Sequence, residues 1–321
     1  MPVLHSTKNL EVIEPPTATR EGVGVFEYTD NFTVFHYGRM PDLIPGKGEA
    51  ACRMAVFNFA MLEAAGVPTH FRRFIAPNRI EFGLARVPDP AAGAPAPGAR
   101  NYLVPVQVIF RNELPRGSSV HRRLAAGTLA LSDIGLRAVP AVGEELEHPL
   151  IEYATMLEAT NRFIGAPQAR RLAGLSDEQF REMGDITMKV NEMITGHARE
   201  VGLGHCDGKA EYLVSGAARI VLADSPGTPD ESRLMYGGVH CGKQVIRDWY
   251  VANGLEVPVQ RLIADGVPRS QWPVPARLQP GFVPVMSDLY RSLSEAWTGE
   301  RTWGAPGLQA ATQAVRRLTS Q

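Results

Sequence analysis

Lysine is scarce in this chain: of 33 basic residues only five, Lys8, Lys47, Lys189, Lys209 and Lys243, carry an ammonium group. Cysteine is scarcer still. Cys52, Cys206 and Cys241 lie far apart, are odd in number and form no C-x-x-C pair, which excludes a disulfide scaffold and a cysteine zinc site and suits a reducing cytoplasm. No run of 18 apolar residues occurs, so no membrane span is expected. Met1 to Lys8 lacks the basic-then-apolar profile of a secretory signal, and the expected location is cytoplasmic. Net charge of one sign is also missing. A formal charge of -1 leaves no broad basic field to hold a nucleic-acid backbone, so neither nucleic acid nor membrane is expected as a partner. Several catalytic signatures are absent as well: no G-x-x-x-x-G-K-[ST] loop, no G-x-G-x-x-G, no H-E-x-x-H and no G-x-S-x-G.

What remains is an ordinary globular composition, 44% apolar and 21% charged, which argues against disorder. At 321 residues the chain can build two lobes or one large α+β domain. The arginine bias gives the few lysines weight, because a compact ammonium kept where arginine is the habit points to a position that needs one.

The order of elements places strands first and helices later. Val23 to His36 reads as two short strands around Thr29-Asp30-Asn31, and Gly38 to Gly48 as a loop. Glu49 to Ala65 has helical apolar spacing and is stopped by Gly66 and Pro68. His70 to Ile75, Arg79 to Val87 and Tyr102 to Phe110 are strand-like, the last with Pro105 against it, and Pro88 to Gly98 is a low-complexity loop. Gly117 to Leu124 opens a helix, and Leu129 to Pro149 reads as mixed turns. A helix from Ser176 to about Val201 starts on a capping box with Gln179. Lys209 to Val214 and Arg219 to Asp224 form a hairpin across residues 215–218. Val239 to Ala252, Pro284 to Trp297 and Pro306 to Leu318 read as helices. The expectation is α+β in two lobes, a sheet-rich one over 1–113 and a second over 114–321 with closing helices.

Four polar clusters could carry chemistry. Asp207, Lys209 and Glu211 alternate along a strand and share a face, with Asp224 at the end of its partner. Carboxylates with one ammonium suit Mg²⁺ held against nucleotide phosphates, although a solvated face on an edge hairpin would alternate in the same way. Ala223 to Arg233 packs three acids, three hydroxyls and an arginine between prolines, which is costly to bury without a ligand and also what a surface turn can look like. Arg111, with Ser118 and Ser119 after Gly117, can hold a phosphate, or be a plain basic turn. Lys243 and Arg247 are four apart on a predicted helix and share a side.

Six segments in this order, Met40-Pro-Asp-Leu-Ile-Pro-Gly-Lys-Gly-Glu49, Gly66-Val-Pro-Thr-His70, Phe110-Arg-Asn with Gly117-Ser-Ser119, Asp207-Gly-Lys-Ala-Glu211, Ala223 to Arg233 and Lys243-Gln-Val-Ile-Arg247, resemble the phosphoribosylaminoimidazole-succinocarboxamide (SAICAR) synthetase family, particularly its archaeal-like branch. The resemblance covers roughly residues 8 to 255 and leaves Glu256 to Gln321 uncovered. It implies a two-lobed α+β fold with an antiparallel-sheet first lobe and an ATP cleft, and a ligase that joins aspartate to the carboxylate of a phosphoribosyl-aminoimidazole through an acyl phosphate with Mg-ATP. Carried onto this sequence, Glu211 and Asp224 would hold Mg²⁺ and Lys209 would meet nucleotide phosphate. Arg111, Ser118, Ser119 and Arg233 would hold the ribotide 5′-phosphate. Asp207 and Lys243 would line the same cleft and serve catalysis together with Lys209, and Lys47, Glu158, Arg162, Asp230 and Arg247 would form its remaining wall.

Three departures stand out. His36 replaces a family aspartate, and in Thr155-Met156-Leu-Glu158-Ala-Thr-Asn161-Arg162 Met156 replaces a lysine and Asn161 an aspartate. The glycine-lysine-rich loop that many members have near the N-terminus is replaced by Val12 to Gly22. These changes remove charge near aspartate and the imidazole carboxylate while keeping the phosphate-binding residues. The expectation drawn from them is an enzyme that still binds a phosphoribosyl imidazole or purine-like nucleotide but runs a changed reaction. His36 would be its acid or base, Mg²⁺ its expected ion, and ATP would no longer be consumed; the setting would be the synthesis of a modified purine nucleoside. The alternatives are an ordinary SAICAR synthetase and a silent nucleotide-binding regulator. The expected partner is a small phosphoribosyl nucleotide, with a homo-oligomer left open.

Overall fold

The structure, a computed structural model, describes residues 3–4, 7–34, 37–158, 161–254 and 256–319. The elements run β1 (Val3–Leu4), β2 (Lys8–Glu14), β3 (Gly22–Tyr28), β4 (Asn31–Thr33), β5 (Arg39–Leu43), α1 (Lys47–Ala64), β6 (Phe71–Ile75), β7 (Arg79–Leu84), β8 (Tyr102–Leu103), β9 (Val106–Glu113), α2 (Ser119–Ala125), β10 (Glu145–Thr155) and β11 (Phe163–Ile164). They continue with α3 (Ala166–Ala173), α4 (Asp177–Glu200), β12 (Gly204–Val214), β13 (Ile220–Ala223), β14 (Ser232–Tyr236), β15 (Val239–His240), α5 (Lys243–Ala252), α6 (Glu256–Ala264), α7 (Phe282–Thr298) and α8 (Leu308–Thr319). The result is α+β. One antiparallel sheet has the order β1-β2-β3-β7-β6; a larger one runs β11-β10-β9-β12-β14-β15, with β8 and β13 on the far half of β12.

Helix α1 joins the two cores. Ala51, Cys52, Ala55 and Phe59 face Ile80, Phe82 and Leu84 of the first sheet, while Ala50, Met54 and Leu62 face the main core. Small residues spaced three and four apart let both faces pack closely. The sheets meet where Thr69 bridges Leu222 in parallel and His70 N–H donates to the Leu222 carbonyl at 2.9 Å.

Several sequence expectations change. Val106–Glu113, assigned to the first lobe by a boundary at 113, is an interior strand of the second sheet between β10 and β12. Pro105 has no N–H to give to a ladder, so the expected strand over Tyr102 to Phe110 splits into β8 and β9. Val239 and His240 are not helical: Gly237 and Gly238 at positive φ turn the chain into a β14–β15 hairpin, and helix begins only at Lys243. Strands β2 and β10 and helices α3 and α6 went unread. The capping box at Ser176 and Gln179 forms as expected, with Gln179 N–H donating to Ser176 Oγ at 3.1 Å. Among the described residues no helix is long and apolar enough to cross a membrane.

The closing helices are tied to the centre by a buried amide. Asn58 Nδ2 donates to the Pro226 carbonyl at 2.8 Å, and its Oδ1 accepts from Trp297 Nε1 at 2.7 Å. Asn58 and Trp297 are buried, so removing the amide strands one donor and one acceptor. Asn58→Ala is expected to lower unfolding stability by about 2–4 kcal/mol, read as a shifted urea midpoint at unchanged slope.

Candidate active site

Strand β12 lays the site out. Asp207, Lys209 and Glu211 follow one another at every second residue, while Ala210 and Tyr212 turn into the main core. Gly208 stands between them opposite Phe110 of β9, whose ring would lie 2.6 Å from any Cβ placed there, so only glycine lets the two strands close. The register sets Asp207 opposite both Arg111 on β9 and Arg233 on β14, and Glu211 opposite Ala223, the residue before Asp224. Asp224 leaves the strand at φ +66, a left-handed conformation rare for a side-chain-bearing residue and often found at functional turns.

Two cavities open along this face. The first, about 330 Å³, has an apolar body of Leu10, Phe26, Phe82, Leu84, Leu103 and Leu213, and a charged mouth of Lys8, Lys209, Glu211, Asp224 and Glu231. His70 lies in its wall, 3.3 Å from the Asp224 carbonyl, and burial pushes its pKa down to about 4, so it is neutral at physiological pH. The second cavity, about 400 Å³, is polar and takes in Arg111, Ser119, Asp207, Arg233, Lys243 and Arg247. Lys209 and Glu231 line both, so the two cavities meet at that pair.

At the junction lysines and carboxylates interleave. Lys209 Nζ donates to Glu211 Oε1 at 2.7 Å and lies 2.8 Å from Glu231 Oε2. Lys8 Nζ pairs with Asp224 and donates to Ser225 Oγ at 2.9 Å, and Ser225 is hydrogen-bonded to the Tyr28 hydroxyl at 2.7 Å. Burial, with the nearby Asp224 and Glu231 charges, raises the Glu211 pKa against the pull of Lys209. Burial acts to raise Glu231 too, but Lys209, Lys243 and Lys8 together hold it below the usual carboxylate range. Among the described residues no group of three or more His, Cys, Asp or Glu side chains is arranged to hold a metal alone. Hard carboxylate oxygens crowded enough to help raise the Glu211 pKa do fit a divalent cation whose other ligands come from phosphate oxygens, the usual mode for Mg²⁺.

In the second cavity Arg111 is locked on three sides: Nε to Glu152 Oε2 at 2.8 Å, Nη1 to Asp207 Oδ2 at 2.8 Å and Nη2 to Ser119 Oγ at 3.1 Å. Arg233 Nη1 reaches the same Asp207 oxygen, and its Nη2 donates to the Gly117 carbonyl at 3.2 Å. The Ser119 hydroxyl, having accepted from Arg111, keeps its own proton to donate to an anion. Lys243 Nζ donates to the Asp230 carbonyl, and burial, partly opposed by Glu231, pushes its pKa down to about 8.

Not every expected residue reaches the cleft. Ser118 is buried behind Ser119 as the cap of α2, accepting from Val120 N–H at 3.4 Å. Lys47 is only 1% exposed and pairs with Asp230 Oδ2 at 2.6 Å, lining neither cavity. Glu158 and Arg162 pair with each other at 2.9 Å, partly exposed, and also line neither; from that stretch Asn161 and Phe163 face the second cavity. His36 lies outside the described residues. Sequence reasoning gave no site role to Lys8, Glu231, Glu152, His70 or Gln244. Lys8 carried a usable signal, since four of the five lysines gather at or just behind the site while Lys189 stays on the surface with Glu192.

In this fold an apolar cavity and an arginine-lined polar cavity meet at a rim of lysines and carboxylates. A family model described as SAICAR synthetase matches residues 17–261. A protein of Archaeoglobus fulgidus named "Putative phosphoribosylaminoimidazole-succinocarboxamide synthase" is 33% identical over 331 aligned positions, covering 98% of this chain and 99% of that one. Among solved structures, a SAICAR synthetase in complex with ADP superposes with a TM-score of 0.65 at 21% identity, over 94% of this chain and 98% of that chain. The Saccharomyces cerevisiae SAICAR synthase in complex with SAICAR gives 0.67 at 19% identity, over 94% and 95%. The chain belongs to the SAICAR synthetase family, and it is an enzyme of that ligase family.

An anion in the second cavity binds the ammonium form of Lys243, so affinity is expected to fade as pH rises through about 8. Titration calorimetry with sulfate, which keeps its charge in this range, should show affinity falling by ~tenfold between pH 7 and 9, as the protonated fraction drops. In Lys243→Met that slope should be lost; an unchanged slope would assign it to another group.

Proposed function

We propose that this chain carries out the family's ordinary reaction, joining aspartate to the carboxylate of a carboxyaminoimidazole ribotide with Mg-ATP. The observation that carries the reading is the shared Lys209–Glu231 wall, which sets the phosphate end of one cavity against the other. The complexes of two fold relatives with ADP and with SAICAR agree with one ligand of each kind. The relatives' names support this ordinary activity over a reaction belonging to modified-nucleoside synthesis.

In this reading the purine lies among Phe26, Phe82, Leu84 and Leu213, and the triphosphate points toward Lys8 and Lys209. Glu211 and Asp224 would hold Mg²⁺, which when bound supplies charge neutralisation for phosphoryl transfer. Arg111, Ser119 and Arg233 grip the ribotide 5′-phosphate, with Asp207 fixing both guanidiniums. Lys243 and Arg247 face the other anionic end of the ribotide. The ribotide carboxylate attacks the γ-phosphorus and ADP departs, leaving an acyl phosphate. The aspartate amine then attacks the acyl carbon, phosphate leaves, and the amine gives up a proton as the amide forms. Lysine ammoniums around the junction stabilise charge that builds on the transferring phosphoryl group.

A second reading, a changed amine acceptor on the same ribotide, is favoured by one wall. Where the family pattern places an aspartate, Asn161 faces the cavity beside Phe163, and the charged Glu158 and Arg162 pair away from it. Mass-spectrometric assay with carboxyaminoimidazole ribotide, aspartate and Mg-ATP separates the readings. The ordinary activity requires SAICAR and ADP in equal amounts; ribotide and ATP consumption that depends on a different amine supports the second, and binding without turnover supports a silent regulator. Glu211→Gln and Asp224→Asn are each expected to lower kcat by roughly 100-fold while ribotide binding persists.

A further inference from the structure

Asp230 lines the second cavity, and its carboxylate is held from behind on both oxygens. Lys47 Nζ donates to Oδ2 at 2.6 Å and the Tyr290 hydroxyl donates to Oδ1 at 3.2 Å. One helical turn beyond Lys243, Arg247 faces the same cavity with its Nε buried and without a hydrogen-bond partner among the described residues. Asp230 and Tyr290 both lie near enough to influence the Arg247 charge environment, yet no ion pair joins Asp230 to Arg247. A guanidinium with a buried, unpaired Nε beside a carboxylate fits a carboxylate that is occupied elsewhere.

We propose that Tyr290 is a positioning residue: its hydroxyl occupies Asp230 Oδ1, so the carboxylate does not close on Arg247, and Arg247 stays open for the anionic end of the ribotide. Tyr290 lies on α7, outside the residues 17–261 that the family model matches. The helix that carries it is braced on one face. Ser287 Oγ donates to the Pro45 carbonyl just before Lys47, and Trp297 reaches the Pro226 carbonyl through Asn58. Positions 287, 290 and 297 repeat at helical spacing, so one rigid face of α7 fixes both the turn that bears Lys47 and the loop that bears Asp230. Gly46, at φ +83, leaves room for the Arg291 guanidinium of the same helix, which a Cβ there would strike.

The ligand named here rests on the ribotide reading above, so the test has one arm without ligand. Tyr290→Phe is compared with wild type and with Tyr102→Phe, which removes another buried hydroxyl, bonded to the Ala173 carbonyl at 2.9 Å and lining neither cavity. In the first arm glyoxal modification of arginines is followed peptide by peptide. Arg247 should react about tenfold more slowly in Tyr290→Phe as Asp230 turns onto it, with Arg233 unchanged. In the second arm calorimetry with carboxyaminoimidazole ribotide should show about tenfold weaker binding in Tyr290→Phe, with ATP affinity unchanged. Equal Arg247 reactivity in wild type and Tyr290→Phe overturns the proposal, as does a like change in Tyr102→Phe or an equal loss of ATP affinity. Slower Arg247 modification in a protein whose wild type binds no ribotide upholds the Asp230–Arg247 device and rejects the ribotide as its ligand.

Discussion

Period-two alternation along β12 sets the position of nearly everything that follows. The strand's inward residues, Ala210 and Tyr212, belong to the main core, and Tyr212 is fastened by its hydroxyl to Thr187 of α4 at 2.7 Å. That burial fixes the strand's rotation about its own axis. A slip of one residue would send Asp207, Lys209 and Glu211 into the apolar interior, where unpaired charges are very costly. The same strand pairs with β9 and β14 near one end and β8 and β13 near the other. The three charged residues therefore run from the polar cavity to the mouth of the apolar one, with Lys209 at the crossing. Packing of one face positions the chemistry of the other.

Charge in this cleft is buried, and every buried charge has to be answered. Arg111 takes two carboxylates and a hydroxyl, and Lys209 sits between Glu211 and Glu231. Such pairs contribute little net stability, because desolvation offsets most of the attraction. Their effect is geometric, since a guanidinium fixed by Asp207 presents the same edge to every ligand. The uneven titration of the rim follows from counting neighbours. Three ammoniums hold the Glu231 pKa down against burial, whereas burial, with two other carboxylates, raises that of Glu211 against the pull of Lys209. A divalent cation would relieve that imbalance.

Helix α7 braces the cleft from behind. Ser287 holds the turn before Lys47, Tyr290 holds Asp230 of the polar cavity, and Trp297 holds Asn58, which in turn binds the Pro226 carbonyl. The buried Lys47–Asp230 pair then joins the start of α1 to the Ala223–Arg233 loop. Lys47 thus acts on the site through Asp230 and makes no contact with the cavity itself.

Much of this was legible in the amino-acid string. The capped α4, the α1 periodicity and the β12–β13 hairpin were fixed by local pattern and turn chemistry, and the ordered motifs pointed to the family. Asp207, Lys209, Arg111, Arg233, Lys243 and Arg247 line one cavity, and Glu211 lines the one beside it. Local pattern failed where pairing decided the outcome. β2 and β10 alternate weakly and become strands because β3 and β9 offer them hydrogen-bonding edges. Only tertiary structure determined that Ser118 spends its hydroxyl on a helix cap, that Glu158 and Arg162 satisfy each other, and that Lys47 is sealed behind Asp230. The reason is physical. A sequence specifies which groups can bond, but which partner each takes depends on distances between segments far apart in the chain, 216 residues for Lys8 and Asp224, and those distances exist only once the sheets have packed.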